Sequence, residues 1–383
     1  MYYIGEEEIE ALKKLFSKKK LYRYNANHDS ECDLFEKEFS QHMGVEHSIL
    51  LSSGTNALST ALLSYELKEN DEVIIPAYTF VATATAVIQA GARPIIVNND
   101  SRLGIDLEDL KNKIGPKTKA VIIVHMDGLA ANVKELKDFC RNKNLILIED
   151  VAQAMGGSYE GIRLGAIGDA GCFSLNENKV LSCGEGGIVV FNKRENYERA
   201  FCIHDTPSQF NPHQKSVYQN IVPFIGSSMR VSEIQGTIMR VQLKRLEKIL
   251  SELRQRKEIF KNYLKNKVVV GYSESGDCGS SLHLQFSSAE EAIEKAKVLR
   301  EKGLLFAPVT ARPAHAAWKW IDLLNRHYLS NENTKFLANY HTSQYLPTIE
   351  ILMKIIKLDI SLDWTSADVK EKAKLVKEIC GEC

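Results

Sequence analysis

The chain has 383 residues, of which 44% are hydrophobic and 26% are charged, the balance of an ordinary soluble globular protein. Lys and Arg together number 49, and so do Asp and Glu. The chain therefore has no net field that would favour nucleic acid or an anionic membrane. No apolar run approaches the ~20 residues that a membrane-spanning helix needs. Any anionic ligand must be held by a local site.

The cysteines and the N-terminus give expectations about metal binding and compartment. Eight cysteines are scattered without the spacing of metal ligands, and the close pair Cys380 and Cys383 has no histidine beside it. No structural zinc or other metal is expected from this pattern. The segment 1–14 is acidic and helical, unlike a secretory signal. We therefore expect reduced thiols and a cytoplasmic location.

Helix-like and strand-like segments alternate in the first half of the chain. Residues 28–43 predict an amphipathic helix that stops at Gly44, His47–Leu51 predicts a strand, and Asn56–Leu67 predicts the next helix. Further short apolar runs predict strands buried on both faces: Glu72–Ile75, Pro94–Val97, Ala120–His125, Leu145–Glu149, Cys172–Leu175 and Gly187–Phe191. Between them lie the predicted helices Thr79–Gly91, Leu107–Ile114 and Val133–Asn142. This alternation implies an α/β fold with a mostly parallel sheet and helices on both faces.

The pattern changes after this alternation. One long charged helical stretch is predicted over residues 232–265, followed by mixed short elements and a final helix opened by Thr365. We place a domain change near residue 245. The sequence thus predicts a large domain over residues 1–245 and a smaller C-terminal α+β domain over residues 246–383.

Two segments of the first half could hold a ligand at a strand end. Ser53-Gly54-Thr55 lies between a strand and a helix, so its amides could hold a phosphate, although a lone tight turn explains the same residues. Asp150 follows an apolar strand, where open α/β sheets place ligands, and it could equally cap the following helix.

Lys179 follows a predicted strand and precedes the glycine-rich turn Gly184–Gly187. Most lysines are solvated surface residues, but the order of the segments changes the interpretation. A phosphate turn, a strand-end acid, a lysine and then glycines occur in sequence. Chemistry that depends on pyridoxal phosphate (PLP) requires an amine for the aldehyde, an acid for the pyridine nitrogen and amides for the phosphate.

The same segments resemble a known family. The run from Gly171 through Lys179 to Gly187 is similar to the lysine signature of the DegT/StrS-type sugar aminotransferases, which have fold-type I. Glu149–Gln153 resembles the family's pyridine-nitrogen motif. Residues 53–58 and 76–80 resemble its phosphate turn and its ring-stacking segment.

The resemblance implies a role for each matching residue. Lys179 would carry PLP on its amine and move the proton during transamination, and Asp150 would keep the pyridine nitrogen protonated. Gln153 would donate to the phenolic oxygen, and Phe80 would stack on the ring. The phosphate would be held by Gly54, Thr55 and Ser174.

The resemblance also implies a homodimer with two shared active sites, and here the chain departs from the family. Family members usually carry Asn where this chain has Ser228, so the phosphate contact from the neighbouring subunit is changed. Arg230 is expected to bind a substrate carboxylate, although a surface salt bridge would explain it too. His204 is expected to contact substrate, and Asp205 follows it where a glycine is common.

The expected reaction is amination of a keto or aldehyde carbon of a sugar, with glutamate as donor. A finer resemblance is to the branch that aminates an oxidised octulosonate for lipopolysaccharide, although both histidines in it could be packing residues. It rests on residues 22–25, His28, residues 50–55, His125-Met126, residues 182–187 and residues 362–365. A cyclitol aminotransferase and a PLP-dependent sugar dehydratase are alternatives, and dehydratases carry His in place of Lys179. A non-catalytic binding protein of the same fold is the alternative from another class.

Overall fold

The computed structural model describes residues 3–24, 29–211, 214–264, 267–325 and 340–381. The helices are α1 Glu6–Ser17, α2 Glu31–Met43, α3 Gly54–Ser64, α4 Ala82–Gln89, α5 Leu107–Lys113, α6 Val133–Lys143, α7 Arg194–His204, α8 Glu233–Leu243, α9 Leu246–Leu264, α10 Ala289–Glu301, α11 Ala317–Asn325, α12 Leu346–Met353 and α13 Ser366–Cys380. The strands are β1 His47–Leu51, β2 Glu72–Pro76, β3 Arg93–Val97, β4 Thr118–Val124, β5 Ile146–Asp150, β6 Ser158–Tyr159, β7 Ile162–Arg163, β8 Ala170–Ser174, β9 Gly187–Phe191, β10 Ser281–Gln285, β11 Ala307–Pro308 and β12 Ile355–Asp359.

A seven-stranded sheet in the order β1-β9-β8-β5-β4-β2-β3 organises the first half of the chain. Strand β9 is antiparallel to both of its neighbours, whereas the pairs from β8 to β3 are parallel. The predicted α/β class with a mostly parallel sheet is therefore confirmed. The carboxyl ends of six strands lie at one edge, where open α/β sheets bind their ligands.

Apolar side chains on both faces explain why these strands are central. In β4, Val121 and Ile123 belong to one hydrophobic cluster, whereas Ala120, Ile122 and Val124 belong to the other. Successive strand residues point to opposite faces, and a strand that is apolar at every position must be covered on both sides. The helices between the strands supply this cover.

The second sheet lies in the C-terminal part and has the antiparallel order β10-β12-β11. The prediction of one long helix over residues 232–265 is wrong in one respect. The structure has two helices there, α8 and α9, which are separated at Lys244 and Arg245. The break lets α8 pack on α1 and α2 while α9 packs on α13. The break between the two helices falls at residue 245, where the domain change is predicted. The division into two domains stays a prediction.

Candidate active site

The first turn of α3 forms one wall of the site. Ser53 caps this helix, its Oγ accepting from the amide of Asn56 at 3.1 Å. The helix begins at Gly54, two residues earlier than predicted, so Gly54 and Thr55 lie in its first turn. The leading amides of a helix have no acceptor within it, and the helix dipole there favours an anion.

Close packing brings Ser174 to this turn. A Cβ at Gly54 would lie 2.8 Å from the Cβ of Ser174. A Cβ at Gly187 would lie 2.2 Å from the carbonyl oxygen of Ser53. Only glycine fits at both positions, which allows β9 and α3 to approach. The result is a cradle of amides and hydroxyls with the donors that a phosphate requires.

Asp150 ends β5 and is buried. Its Oδ1 accepts from the amide of Ala152 at 3.0 Å, and its Oδ2 accepts from the hydroxyl of Thr83 at 3.1 Å. Burial raises the pKa of Asp150, although these hydrogen bonds and nearby Lys179 oppose the rise. Asp150 has no ion-pair partner within the described ranges. A protonated pyridine nitrogen would satisfy such a buried acid.

Lys179 lies in the loop between β8 and β9 and is partly buried. Burial lowers the pKa of its amine, while Asp150 partly opposes this shift. A lowered pKa increases the neutral, nucleophilic fraction of a lysine at neutral pH. Lys179 has no salt bridge to any residue that the structure describes, so its amine is not committed to a carboxylate.

Gln153 is oriented by the loop that follows β4. Its side-chain oxygen Oε1 accepts from the backbone amide of Asp127 at 3.0 Å. This contact engages the acceptor end of the amide group and leaves the NH2 end as a donor. Gln153 can therefore donate to a phenolic oxygen, the role that the family resemblance gives it.

Phe80 forms an aromatic wall of the site. This residue is 42% exposed, so its ring is open to contact with a ligand. The ring of His315 lies beside it, with ring centroids 5.1 Å apart. Burial lowers the pKa of His315 to about 3, so its imidazole is neutral.

One cavity of about 670 Å³ joins these elements. Seven of the residues predicted for the site line it: Gly54, Thr55, Phe80, Asp150, Gln153, Ser174 and Lys179. The donors suit a phosphate, the buried acid suits a ring nitrogen, and the amine suits an aldehyde. The residues present therefore fit PLP, which supplies an electrophilic aldehyde and an electron-accepting ring when bound.

His204 requires a correction, because its side chain is buried away from the cavity. Its Nδ1 lies 2.7 Å from the carbonyl oxygen of Phe201, and its Nε2 lies 3.1 Å from the hydroxyl of Tyr24. Burial and the neighbouring guanidinium of Arg23 hold the pKa of His204 well below its ordinary value. A neutral imidazole with both nitrogens engaged packs the interior and does not reach substrate.

Ser228 and Arg230 lie outside the cavity wall of their own chain. Arg230 forms an ion pair with Asp205, whose side chain is buried, so the pair differs from the surface salt bridge of the alternative interpretation. Ser228 is exposed and forms an isolated bridge with Asp205. Neither residue contacts the site within one chain.

The sequence patterns did not identify several charged residues of the cavity wall, among them Asp127, Arg312 and Lys357. Asp127 follows β4 closely, so the strand-end argument used for Asp150 could have identified it. Lys357 interrupts the apolar strand β12, a weaker signal. Arg312 lies in an irregular segment after β11 and has no comparable signal.

Comparisons with known proteins identify the family of this chain. Residues 2–342 match the DegT/DnrJ/EryC1/StrS aminotransferase family. A GDP-perosamine synthase of Escherichia coli O157:H7 is 31% identical over 324 residues, which are 79% of this chain and 87% of that protein. Two further GDP-perosamine synthases match over only 62% and 57% of their own lengths.

Solved structures show the same fold. An aminotransferase of Helicobacter pylori, PseC, involved in pseudoaminic acid biosynthesis, aligns with a TM-score of 0.79 at 20% identity and covers 99% of this chain and 97% of its own. A GDP-4-keto-6-deoxymannose-3-dehydratase with a trapped PLP-glutamate adduct aligns with a TM-score of 0.80 at 22% identity, covering 98% and 99%. The fold is therefore fold-type I. The chain belongs to the DegT/DnrJ/EryC1/StrS family and is a PLP-dependent aminotransferase.

Proposed function

We propose that this enzyme converts a keto or aldehyde group of a sugar to an amine, with glutamate as the amino donor. The observation that carries the proposal is the convergence of Lys179, Asp150, Gln153 and the α3 turn in one cavity. Relatives named as aminotransferases or transaminases of nucleotide-linked sugars support the substrate class. The trapped adduct in the dehydratase of the same fold supports glutamate as donor.

The groups of this chain divide the work of such a reaction. Asp150 stabilises positive charge on a ring nitrogen through its buried carboxylate. The Nζ atom of Lys179 would be the base that takes the proton from the substrate carbon and delivers it to C4′ of the cofactor. Gln153 and the α3 turn would fix the orientation of the cofactor, so that the substrate carbon and C4′ both lie within reach of this amine.

We further propose an oxidised octulosonate as the sugar, in lipopolysaccharide biosynthesis in the cytoplasm. Met126 from the motifs of that branch lines the cavity. His125 does not reach it, since its Nδ1 accepts from the amide of Ala131 at 3.1 Å and its Nε2 lies 3.1 Å from Glu149. Asn25 and His28 fall outside the described residues. No helix in the described ranges is long and apolar enough to cross a bilayer.

A substrate panel tests this proposal. Purified enzyme with glutamate is offered the C8-oxidised octulosonate, a set of nucleotide-linked keto sugars and a cyclitol ketone, and 2-oxoglutarate release is measured. We expect the octulosonate to react with at least about a tenfold higher kcat/KM than the others, a difference of ~1.4 kcal/mol in the barrier. If only a nucleotide-linked sugar reacts, that sugar replaces the octulosonate as the proposed substrate. Release of a deoxygenated sugar would favour the dehydratase reaction.

A homodimer is the proposed working unit. The loop before α8 exposes two large apolar side chains, with Val222 87% and Ile225 88% exposed. Neighbouring exposed apolar groups of this size are characteristic of a protein interface. Ser228 lies in the same loop, outside its own cavity, so it is available to a partner subunit's site.

A double substitution of this loop tests the dimer. We expect Val222→Asp with Ile225→Asp to shift the protein from dimer to monomer, because two carboxylates would be buried without partners. Sedimentation velocity measures the change, and turnover should fall with the dimer fraction. Ile162→Asp, at a site 52% exposed in the β6–β7 hairpin, is the matched control and should leave the dimer intact. A native enzyme that is monomeric and fully active would contradict the proposal.

A further inference from the structure

Asp127 is the centre of a charged cluster in the cavity wall. It is buried, and its backbone lies in the left-handed region with φ 54°. Its Oδ2 accepts from the hydroxyl of Tyr78 at 2.7 Å, while its Oδ1 lies 2.8 Å from both Arg312 Nη1 and Lys357 Nζ. Burial alone would raise the pKa of Asp127, but Lys357 and Arg312 hold it well below its ordinary value. The carboxylate is therefore charged at neutral pH.

The cluster holds more positive than negative charge. One carboxylate, Asp127, faces two cations, and the other neighbour, His283, is kept neutral because burial lowers its pKa. Lys357 also contacts Asp359 at 2.8 Å, but the Asp359 side chain is 63% exposed and solvent screens the pair. The buried part of the cluster thus carries a net charge of about +1, which favours a monoanion.

Both cations retain N–H groups that no described residue accepts from, among them the buried Nε of Arg312. The ammonium of Lys357 has three N–H groups, and its two carboxylate contacts use two of them. Arg312 has five, of which Nη1 and Nη2 contact Asp127 and the Tyr78 hydroxyl. The side chains of Arg312 and Lys357 are 28% and 12% exposed, and both line the cavity.

The cations lie close to the reacting amine. The pKa of Lys179 is lowered first by burial, and the charges of Arg312 and Lys357 lower it further. The phosphate cradle of α3 lies on other elements, so these cations are not required for the cofactor phosphate. They are available to the molecule that reacts.

We propose that Arg312 and Lys357 form a carboxylate-binding site for the reacting ligand, with Asp127 as the residue that positions both cations. This inference rests on the proposed aminotransferase function but not on the identity of the sugar. A carboxylate can accept from the remaining N–H groups of both cations, and one negative charge balances the cluster. A diphosphate carries more negative charge than this cluster can balance. The carboxylate is that of the amino donor or that of a sugar acid.

The test compares Lys357→Met with the charge-conserving Lys357→Arg and with the control Lys354→Met. Lys354 precedes β12 and does not line the cavity. Thermal unfolding first verifies that each holoenzyme is folded. The two half-reactions are then measured separately, one with glutamate and one with the C8-oxidised octulosonate and its methyl ester, by the absorbance of the bound cofactor.

We expect Lys357→Met to raise the half-saturating concentration of one carboxylate ligand by roughly 10–100-fold, the scale of one charge-assisted hydrogen bond. Lys357→Arg should recover most of this loss, and Lys354→Met should cause none. A loss confined to glutamate identifies the donor carboxylate. A loss with the sugar acid that is absent with its methyl ester identifies the sugar carboxylate.

Other outcomes separate the two proposals. If the wild-type enzyme does not react with the octulosonate, that sugar is not its substrate. The glutamate half-reaction still tests the cation pair. Half-saturating concentrations that change less than about twofold for both ligands overturn the carboxylate site. An equal loss with acid and methyl ester, with glutamate unaffected, also overturns it, because the effect would not depend on the carboxylate.

Discussion

Lys179→Ala is expected to abolish transamination, with a loss of about 10⁴-fold or more in kcat. Two functions would be lost together, because we propose that the amine is both the attachment point for PLP and the base at the substrate carbon. General acid–base catalysis alone contributes roughly 10²–10⁴-fold. Burial lowers the pKa of this lysine, so a less buried amine cannot substitute at neutral pH. Turnover with glutamate measures the loss.

Borohydride reduction of the holoenzyme followed by peptide mapping identifies the attachment point directly. The reduced adduct should lie on Lys179 in the native enzyme and be absent from the variant. Lys134→Ala is the control, since Lys134 is exposed and its partner Glu160 is equally exposed. An adduct on another lysine, or full turnover by Lys179→Ala, would show that the assignment is wrong.

The fold of the first half was predictable because its strands are apolar at nearly every position. The apolar run Ala120–Val124 of β4 leaves no polar side to face solvent, so a sheet covered on both faces is the arrangement that buries it. The break between α8 and α9 was not predictable in the same way. Lys244 and Arg245 are good helix formers, and the interruption reflects packing on different partners, which no local pattern records.

The candidate site also has a part that the sequence predicts and a part that it does not. Asp150, Ser174 and the α3 turn follow apolar strands of one sheet, so their convergence at one edge follows from the topology. Arg312 and Lys357 reach the cavity from the C-terminal part, more than a hundred residues later, and only the packing of that part on the sheet brings them there. His204 shows the converse, since a motif position predicted substrate contact but burial gave it a packing role.

Asp150→Asn is the second large effect, an expected loss of roughly 100-fold or more in kcat with the cofactor still bound. The substitution is nearly isosteric, and its amide oxygen can keep the contact with the amide of Ala152. Its NH2 group can donate to the hydroxyl of Thr83, which is itself hydrogen-bonded to Thr79. The fold and the cavity should therefore be preserved, and the unfolding temperature should stay close to that of the native enzyme.

The expected loss of kcat follows from the missing negative charge and not from a change in side-chain shape. A neutral amide cannot stabilise a protonated ring nitrogen, and one preorganised electrostatic contact in a dry site is worth about 10²–10³ in kcat. Asp138→Asn, at an exposed salt bridge with Arg141, is the control and should keep native turnover. The absorbance of the bound cofactor and kcat with glutamate are measured on the same samples. Bound cofactor with near-native turnover in Asp150→Asn would remove this carboxylate from catalysis, whereas loss of the cofactor would make Asp150 a binding residue first.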